Sequence, residues 1–351
     1  MSMSLFELFN QMSIYPILGV IIFLVVLVTI VSGATDAPNS IATAVSTRCM
    51  KPGTALGIAA VANFVGMIGM TYISSSVAET MFNMVNFDSG DAHVALMALM
   101  AAMIASILWG TICWFLGIPA SKSHSIIAGI TGGAIALNGM NGVDIGEWMK
   151  VIYGMVFSLV AGYILGFCIV KLVEALFWRV NRNKGNKACT AIQNICAICL
   201  ACLHGGQDGQ KFMSIAVLGI SLVLGGAEMG SGAEAFPLWL MLLCSAAMAI
   251  GTLIGGKRII KSVAMDMVQL EKYQGVSSSL STAFMLFFAS VTGMPVSTSH
   301  CNTSSIMGVG SAKNIRDVKW SVAGNMVLAW VLTFPLCGIM GFLLAKLFML
   351  F

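Results

Sequence analysis

The sequence predicts an all-α membrane protein that crosses the bilayer several times. Of its 351 residues, 58% are hydrophobic and only 9% are charged, whereas a soluble domain carries roughly 25% charged residues. The alternating pattern of membrane β-strands is absent, and a backbone in lipid must satisfy its own hydrogen bonds. Helices are therefore the predicted spanning elements.

Stretches without charged residues delimit the predicted spans, because roughly 20 apolar residues allow one helix to cross. In chain order they are 8–35, 52–78, 92–121, 123–143, 151–170, 188–207, 212–227, 235–256, 273–312 and 320–345. Segment 273–312 is long enough for two passes with a turn near Gly293–Pro295, so we expect about ten crossings, some made of broken pieces. The first segment lacks a basic n-region and a small-residue cleavage site, so a cleaved signal peptide is not expected.

Two short motifs occur twice in the same order. "GIPASKSH" at 117–124 agrees with "GMPVSTSH" at 293–300 in five of eight positions, and each follows an aspartate-centred segment. Asp36 precedes Ser121 by 85 residues, and Asp208 precedes Ser297 by 89 residues. Shared order and shared spacing indicate an internal duplication.

Basic residues indicate how the two halves face. The stretch "WRVNRNKGNK" at 178–187 is polar and basic, which predicts a cytoplasmic linker. The loop at 75–92 carries only acidic charges, whereas its repeat equivalent, roughly 257–272, opens with Lys257, Arg258 and Lys261. Because the basic residues change sides, we expect an inverted-topology repeat of about five plus five crossings. The first repeat is 1–177, the linker 178–187 and the second repeat 188–351. The first fifteen residues contain no Lys or Arg, so both termini are predicted outside.

Inverted repeats with broken helices are typical of secondary transporters, which bind their substrates near the bilayer midplane at the repeat interface. We therefore expect re-entrant-like hairpins at that interface. Ionisable residues inside a membrane are costly and usually functional. The alternative is a membrane scaffold that merely duplicated.

Each half combines an aspartate with a proline followed by hydroxyls. Pro38 lies beside Asp36, and proline cannot continue a helix without losing a hydrogen bond, so we predict a break there and an equivalent break at Asp208. Free amides at a helix start bind anions, and the hydroxyls that follow Pro119 and Pro295 are neutral donors that suit a tetrahedral oxyanion. A carboxylate ~4 Å from an anion is repelled by ~4 kcal/mol at an effective dielectric of 20. The aspartates must therefore take up protons or hold cations, and either one couples anion uptake to a cation.

At these residues the sequence resembles the inorganic phosphate transporter (Pit) family of cation-coupled phosphate symporters. The first segment is similar to Gly-x-Asn-Asp-x-Ala-Asn-Ser-x-Ala-Thr, and the matching residues are Gly33, Asp36, Asn39, Ser40, Ala42 and Thr43. The second is similar to His-Gly-x-Asn-Asp-x-Gln-Lys-x-Met, matched by His204, Gly205, Asp208, Gln210, Lys211 and Met213. The family's Pro-x-Ser-Thr-Thr-His motif resembles both 119–124 and 295–300. Departures are Thr35 and Gln207 in place of asparagine, Pro38 in place of alanine and Lys122 in place of a hydroxyl residue.

The resemblance, which extends from about residue 30 to 325, implies a symporter that imports inorganic phosphate across the cytoplasmic membrane. It implies a two-fold, elevator-like or rocking transporter, usually a homodimer, with phosphate between the hairpins and Na⁺, or alternatively H⁺, at the aspartates. No tightly bound cofactor, no metal beyond the coupling cation, no nucleic acid partner and no enzyme activity are expected.

Candidate site residues follow from the motifs and the resemblance together. The candidate substrate-binding residues are Asn39, Ser40, Ser121, Lys122, Ser123, Gln210, Lys211, Ser297, Thr298 and Ser299. The candidate cation-binding residues are Thr35, Asp36, Asn39, Gln207 and Asp208. His124 and His300 are candidate proton relays, with packing between helices as the alternative. Lys122 either supplies a fixed positive charge near the anion or extends toward the lipid headgroups.

The alternatives to phosphate transport are transport of sulfate, intramembrane hydrolysis and a channel. Relatives of the family carry sulfate, but the two aspartates favour phosphate, which keeps a P–OH donor. An intramembrane hydrolase using Ser121 or Ser123 with His124 lacks the Gly-x-Ser-x-Gly motif, and a channel would need no cation coupling. Cys196, Cys199 and Cys202 beside His204 have the spacing of a helical stripe, in which buried cysteine behaves as a small hydrophobe, or of a soft-metal site.

Overall fold

The computed structural model describes residues 3–116, 121–226, 229–230, 232–264 and 269–350. Within these ranges the chain forms thirteen α-helices and no β-strand. The α-helices are, in chain order, α1 (Leu5–Ile14), α2 (Pro16–Thr35), α3 (Asn39–Ser46), α4 (Pro52–Ile73), α5 (Ser76–Asn83), α6 (Ala92–Leu116), α7 (Lys122–Asn138), α8 (Ile145–Phe177), α9 (Arg182–Val223), α10 (Leu238–Ala264), α11 (Lys272–Val291), α12 (Thr298–Lys313) and α13 (Trp320–Phe348). The predicted all-α class is confirmed.

Seven segments of the described residues are long and apolar enough to cross a membrane. They are Pro16–Ser46, Pro52–Ile73, Ala92–Cys113, Ile145–Phe177, Arg182–Val223, Leu238–Gly255 and Ala323–Phe348. The protein is thus a polytopic helical membrane protein. The remaining long helices, α7, α11 and α12, are shorter or more polar and belong to two helical hairpins.

The predicted break at Asp36 is confirmed, but its amides are not free. Helix α2 ends at Thr35 and α3 begins at Asn39, with Pro38 as its N-cap. The amides of Asn39 and Ser40 donate to the carbonyls of Asp36 and Ala37 at 3.0 and 3.1 Å. These tight turns satisfy the start of α3, so the anion site predicted at this break must be sought elsewhere.

The predicted break at Asp208 is wrong, because α9 continues without interruption from Arg182 to Val223. The predicted span 188–207 and residues 212–223 of the next predicted span lie in one helix of 42 residues. No proline lies in this segment. Its glycines instead allow close packing: a Cβ on Gly205 would collide with the backbone of Asn63 in α4. Small residues at such contacts hold membrane helices together rather than breaking them.

Helices α6 and α7 form one hairpin, and α11 and α12 form the other. The first hairpin is anchored at its open end by Asn138, whose amide donates to the carbonyls of Asn86 and Asp88. The second hairpin turns at Gly293, which has a φ of 72°, near the predicted Gly293–Pro295 turn. Its open end is joined by an ion pair between Lys313 and Glu271 at 3.0 Å.

The two hairpins open at opposite ends of α8. The loop before α8 contacts the segment that precedes the first hairpin. The backbone amide of Asp144 donates to the carbonyl of Met84, and Val143 forms an isolated β-bridge with Val85. At the other end of α8, Glu174 accepts a hydrogen bond from Tyr273 at the start of α11. Helix α8 has 33 residues, which is about 50 Å. The hairpins therefore enter the molecule from opposite ends.

Packing between the halves is reciprocal. Helix α7 packs on α13 while α12 packs on α8, and α2 packs on α10 while α4 packs on α9. Each pair therefore joins one helix from before the linker to one from after it. The linker itself is shorter than predicted, because α8 ends at Phe177 and α9 already begins at Arg182. The side chains of Lys257, Arg258 and Lys261, and the first hairpin's 117–120, lie outside the described residues.

Candidate functional site

The tips of the two hairpins meet through two serines. Ser121 caps α7 and accepts the amide of His124 at 3.3 Å; Ser297 caps α12 and accepts the amide of His300 at 3.4 Å. Ser121 Oγ donates to Ser297 Oγ at 2.9 Å. Both serines are buried. The N-termini of two long helices therefore converge on one buried point.

This convergence creates an environment for a negative charge. The next amides, those of Lys122 and Ser123 in α7 and of Thr298 and Ser299 in α12, have no acceptor within their own helix. Helix N-termini also carry partial positive charge from the macrodipole. Anions bind at such ends through the amides. The signal in the sequence was the hydroxyl run after each proline, although no part of it indicated that the two runs touch.

Lys211 lies in a cluster of oxygen atoms on the Asp208 side. Its Nζ donates to Asp208 Oδ1 at 2.8 Å, to Ser123 Oγ at 2.8 Å and to the carbonyl of Val296. Lys211 is 1% exposed and Asp208 is fully buried. Ser123 belongs to the first hairpin and Val296 to the second, so the ammonium joins both hairpin tips to α9.

Asp36 lies in a matching cluster on the other side. Its Oδ1 accepts a hydrogen bond from Ser299 Oγ at 3.3 Å. Ser299 Oγ in turn accepts a hydrogen bond from the side-chain Nδ2 of Asn39 at 2.8 Å. Asn302 donates its side-chain amide to the carbonyl of Asn39 at 3.1 Å. The side-chain oxygens of Asn39 and Asn302 are buried with no hydrogen-bond partner among the described residues. A carboxylate beside amide oxygens is the type of site that a hard cation prefers.

His204 adds a contact to Asp208 that the sequence motif did not explain. Asn63 donates its amide nitrogen to Ala59 O at 2.8 Å, so its Oδ1, 2.8 Å from His204 Nδ1, must accept a proton from the ring. The other ring nitrogen, Nε2, lies 3.3 Å from Asp208 Oδ2. A neutral ring would bring a lone pair toward the carboxylate, so a proton between these two atoms fits the geometry.

His124 and His300, the candidate relays, meet each other at the hairpin tips. Their ring centroids are 4.4 Å apart and nearly perpendicular. His300 also packs on Trp330 at 3.7 Å and His124 on Phe334 at 4.6 Å, both in α13. Nδ1 of each histidine has no hydrogen-bond partner among the described residues. The pair forms part of an aromatic cluster, which is the packing alternative considered for them.

Lys122 is buried within the protein at 5% exposure. Its Nζ lies against Gly110 in α6, where a Cβ would collide with it. The ammonium of Lys122 therefore neither extends out of the protein toward the lipid headgroups nor joins the oxygen cluster around Lys211. An ammonium in the first turn of a helix also opposes the macrodipole.

Five other predicted site residues remain, of which four make local or distant contacts and one, Thr298, is simply buried. Thr35 donates to Val31 O and Ser40 to Ala37 O, each within its own segment. Gln207 reaches the second hairpin through Met294 O at 3.1 Å. Gln210 donates instead to Ser74 O after α4. Thr298 is buried as the first residue of α12.

Asn302, His204 and Asn63 were missed as candidate site residues. Asn302 carries no repeat signal, because the equivalent position in the first hairpin is Ile126. The cysteine cluster does not assemble: Cys196 is buried, Cys199 is exposed, and no group of three or more metal-ligating residues occurs in the described part of the chain.

The apolar helical spans and the buried, charged hairpin site define an integral membrane transport protein. The chain belongs to the phosphate transporter family, whose model matches residues 32–341, and this confirms the resemblance. It is 34% identical over 311 residues to the probable low-affinity inorganic phosphate transporter of Bacillus subtilis strain 168, covering 89% of this chain and 91% of that one. It is 34% identical over 322 residues to the protein of that name from Rhizobium meliloti strain 1021, covering 92% and 93%.

A solved structure supports the fold. The sodium-dependent phosphate transporter superposes with a TM-score of 0.86 at 21% identity, covering 95% of this chain and 98% of that chain. At 21% identity, this similarity supports only the fold. The relatives are transporters and permeases, which agrees with the expectation that the chain is not an enzyme.

Proposed function

We propose that the protein imports inorganic phosphate across the cytoplasmic membrane by symport with a cation. Phosphate binds where the N-termini of α7 and α12 converge, and the cation binds at Asp36. The observation that carries the proposal is the 2.9 Å contact between Ser121 and Ser297, because it brings two sets of free helix amides and hydroxyls to one point. The relatives named as phosphate transporters support phosphate as the anion.

Phosphate is favoured over sulfate by the acceptors beside the site. Phosphate keeps at least one P–OH group, which donates to an ionised carboxylate, whereas sulfate has no proton to donate. Asp36 and Asp208 are both linked to the hairpin tips through Ser299 and Ser123. A site for sulfate would gain nothing from either carboxylate.

The coupling ion is proposed to be Na⁺. The unpartnered amide oxygens of Asn39 and Asn302 near Asp36 favour a metal cation. One observation favours H⁺ as the alternative, namely the close approach of His204 Nε2 to Asp208 Oδ2. Asn63 on α4 and Asp208 on α9 contact that histidine, and Lys211 and Ser123 contact the same aspartate.

The proposed architecture is an inverted-topology repeat in a homodimer with both termini outside. The reciprocal packing of α7 on α13 and of α12 on α8 supports the repeat. Because the hairpins enter from opposite ends and their tips meet, each is proposed to be re-entrant rather than a pair of full crossings.

The test is uptake of labelled phosphate into proteoliposomes under an imposed Na⁺ gradient, an imposed H⁺ gradient or neither. We expect concentrative uptake under the Na⁺ gradient and weak competition by excess sulfate. Uptake driven only by the H⁺ gradient would assign the coupling to the proton. Phosphate flux insensitive to both gradients would indicate a channel, and preferential uptake of sulfate would overturn the substrate.

A further inference from the structure

We propose that the ammonium of Lys211 is a built-in cation, which occupies at Asp208 the place that a mobile coupling cation takes at Asp36. The inference rests on the proposed symport. It predicts that only one of the two equivalent aspartates exchanges a cation during transport.

The internal repeat supplies the comparison. Asn39 follows Asp36 by three residues, and Lys211 follows Asp208 by three residues. Asn39 contacts Ser299 at 2.8 Å, and Lys211 contacts Ser123 at 2.8 Å. Ser123 and Ser299 are themselves equivalent, each standing one residue before the motif histidine. The two clusters therefore have one plan, in which a neutral amide in one is replaced by a charged ammonium in the other.

The surroundings of Lys211 Nζ resemble those of a bound cation. Its three acceptors are a carboxylate, a hydroxyl and a backbone carbonyl, the oxygen types that coordinate hard metal ions. The ammonium and Asp208 form an ion pair in which both side chains are buried. A metal ion at Asp208 Oδ1 would have to displace this tethered charge.

Within the described part of the chain, the Asp36 cluster has no charge in contact with its carboxylate; the charge of Lys122, whose Nζ lies against Gly110, acts on Asp36 only from beyond ion-pair distance. Among the described residues no ion pair reaches Asp36, whereas Lys211 forms an ion pair with Asp208 and His204 Nε2 lies 3.3 Å from Asp208 Oδ2. The oxygens of Asn39 and Asn302 that have no hydrogen-bond partner in this part of the chain face no tethered donor. A buried carboxylate without a paired charge is stable only when it is neutralised, which a mobile cation or proton would do at Asp36.

Lys211 also places its positive charge beside the proposed anion site. It bonds to Ser123 in the first hairpin tip and to Val296 in the second, between the two converging helix N-termini. A permanent positive charge there lets phosphate bind with fewer mobile cations than two empty aspartate clusters would require.

The decisive variant is Lys211→Asn, which copies the Asp36 cluster into the second half. Phosphate uptake in proteoliposomes is measured against the concentration of the coupling cation. We expect the Hill coefficient for the cation to rise from about 1 in the parent to about 2 in the variant, since it cannot exceed the number of sites. Phosphate affinity of the variant should fall at low cation concentration and recover at high concentration.

A paired variant keeps the test decisive if Lys211→Asn folds poorly. Asp208→Asn with Lys211→Met removes both charges of this ion pair together, so neither member of the pair is left buried without the other. Its transport rate should fall while its Hill coefficient stays at the parent's value. Melting of the detergent-solubilised protein against the cation gives a second readout without transport, because each added site steepens the stabilisation.

Two results would overturn the inference. One is a Lys211→Asn variant with the parent's Hill coefficient and the parent's melting response. The other is a paired variant whose cation dependence is reduced by one site, which would identify Asp208 as a mobile-cation site. Failure of the proposed function is separate, because then the parent itself would take up no phosphate under any gradient.

Discussion

The hydroxyls of Ser121 and Ser297 lie 2.9 Å apart although 176 positions separate them in the chain. Each caps the helix that follows it, and each stands at the same place in its repeat. The contact therefore aligns two helix dipoles on one point. This hydrogen bond is a direct contact between the two hairpins, in addition to the connection that Lys211 of α9 makes to both tips.

Removing either hydroxyl should weaken phosphate binding. Ser121→Ala and Ser297→Ala each delete a hydrogen bond worth about 1 kcal/mol, so we expect the apparent phosphate KM to rise roughly fivefold. Because the two residues touch, the double variant should lose less than the product of the singles. Ser221→Ala is the matched control, since Ser221 donates only to Leu218 in its own helix. Unchanged KM in both single variants would remove the serines from the site.

Asp36→Asn should abolish concentrative uptake. The amide keeps the size of the side chain but loses the charge that holds the cation. We expect phosphate uptake to become insensitive to the cation gradient, as measured in proteoliposomes. Asp88→Asn is the control, because Asp88 is exposed in a loop. A variant that still concentrates phosphate with the parent's cation dependence would refute the assignment of Asp36.

Lys122→Thr should lower phosphate affinity at low cation concentration. The ammonium is buried beside Gly110 with no carboxylate in ion-pair contact among the described residues. Its charge acts on Asp36 from a longer distance, and because burying a charge without a close partner is costly, a phosphate at the α7 N-terminus would supply part of the balance. Raising the cation concentration should recover part of the affinity. Lys150→Thr, which removes a partly exposed lysine paired with Glu147, serves as control. If affinity stays the same at every cation concentration, Lys122 has only a structural role.

Gly66→Ala should destabilise the protein while Gly69→Ala should not. A Cβ at Gly66 would collide with the backbone of Cys202 in α9, whereas nothing lies within 4 Å of one at Gly69. Overpacking costs typically 1–3 kcal/mol, whereas Gly→Ala in an open helix position stabilises by roughly 0.5–1 kcal/mol. Thermal melting in detergent measures the difference. Equal melting temperatures for the two variants would contradict the close approach of α4 and α9.

Cysteine labelling should place residues 89 and 183 on opposite sides of the membrane. Ser89→Cys and Asn183→Cys introduce thiols at exposed positions, in a background from which the ten native cysteines are removed. An impermeant reagent should modify the first from outside and the second only from inside. Modification of both from one side would refute the inverted arrangement.

Local chemistry explains how far the sequence could predict the site. Pro38 has no amide hydrogen, so the break at Asp36 was predictable. Asp208 occupies the same repeat position, but its neighbours are glycines that α4 covers, and the helix continues. Whether a glycine breaks a helix or permits close packing depends on a partner far away in the chain, which local sequence does not contain.

The two lysines illustrate the same limit. Lys122 attracted attention because it departs from the family motif, yet its side chain turns toward Gly110. Lys211 matched the family motif, and its spacing of three from Asp208 already allowed an ion pair on one helix face. The remaining ligands, Ser123 and Val296, come from two hairpins whose meeting depends on the overall topology. The Ser121 to Ser297 contact was beyond reach for the same reason.

The reciprocal packing of the hairpins has a consequence for how this molecule can be divided. Helix α7 rests mainly on α13, and α12 rests mainly on α8, so each half's hairpin is seated in the other half's scaffold. A fragment ending at the linker would leave α7 without the surface that covers it. Because neither half alone would cover the exposed face of its own hairpin helix, we expect the two halves to fold stably only when they are joined or supplied together.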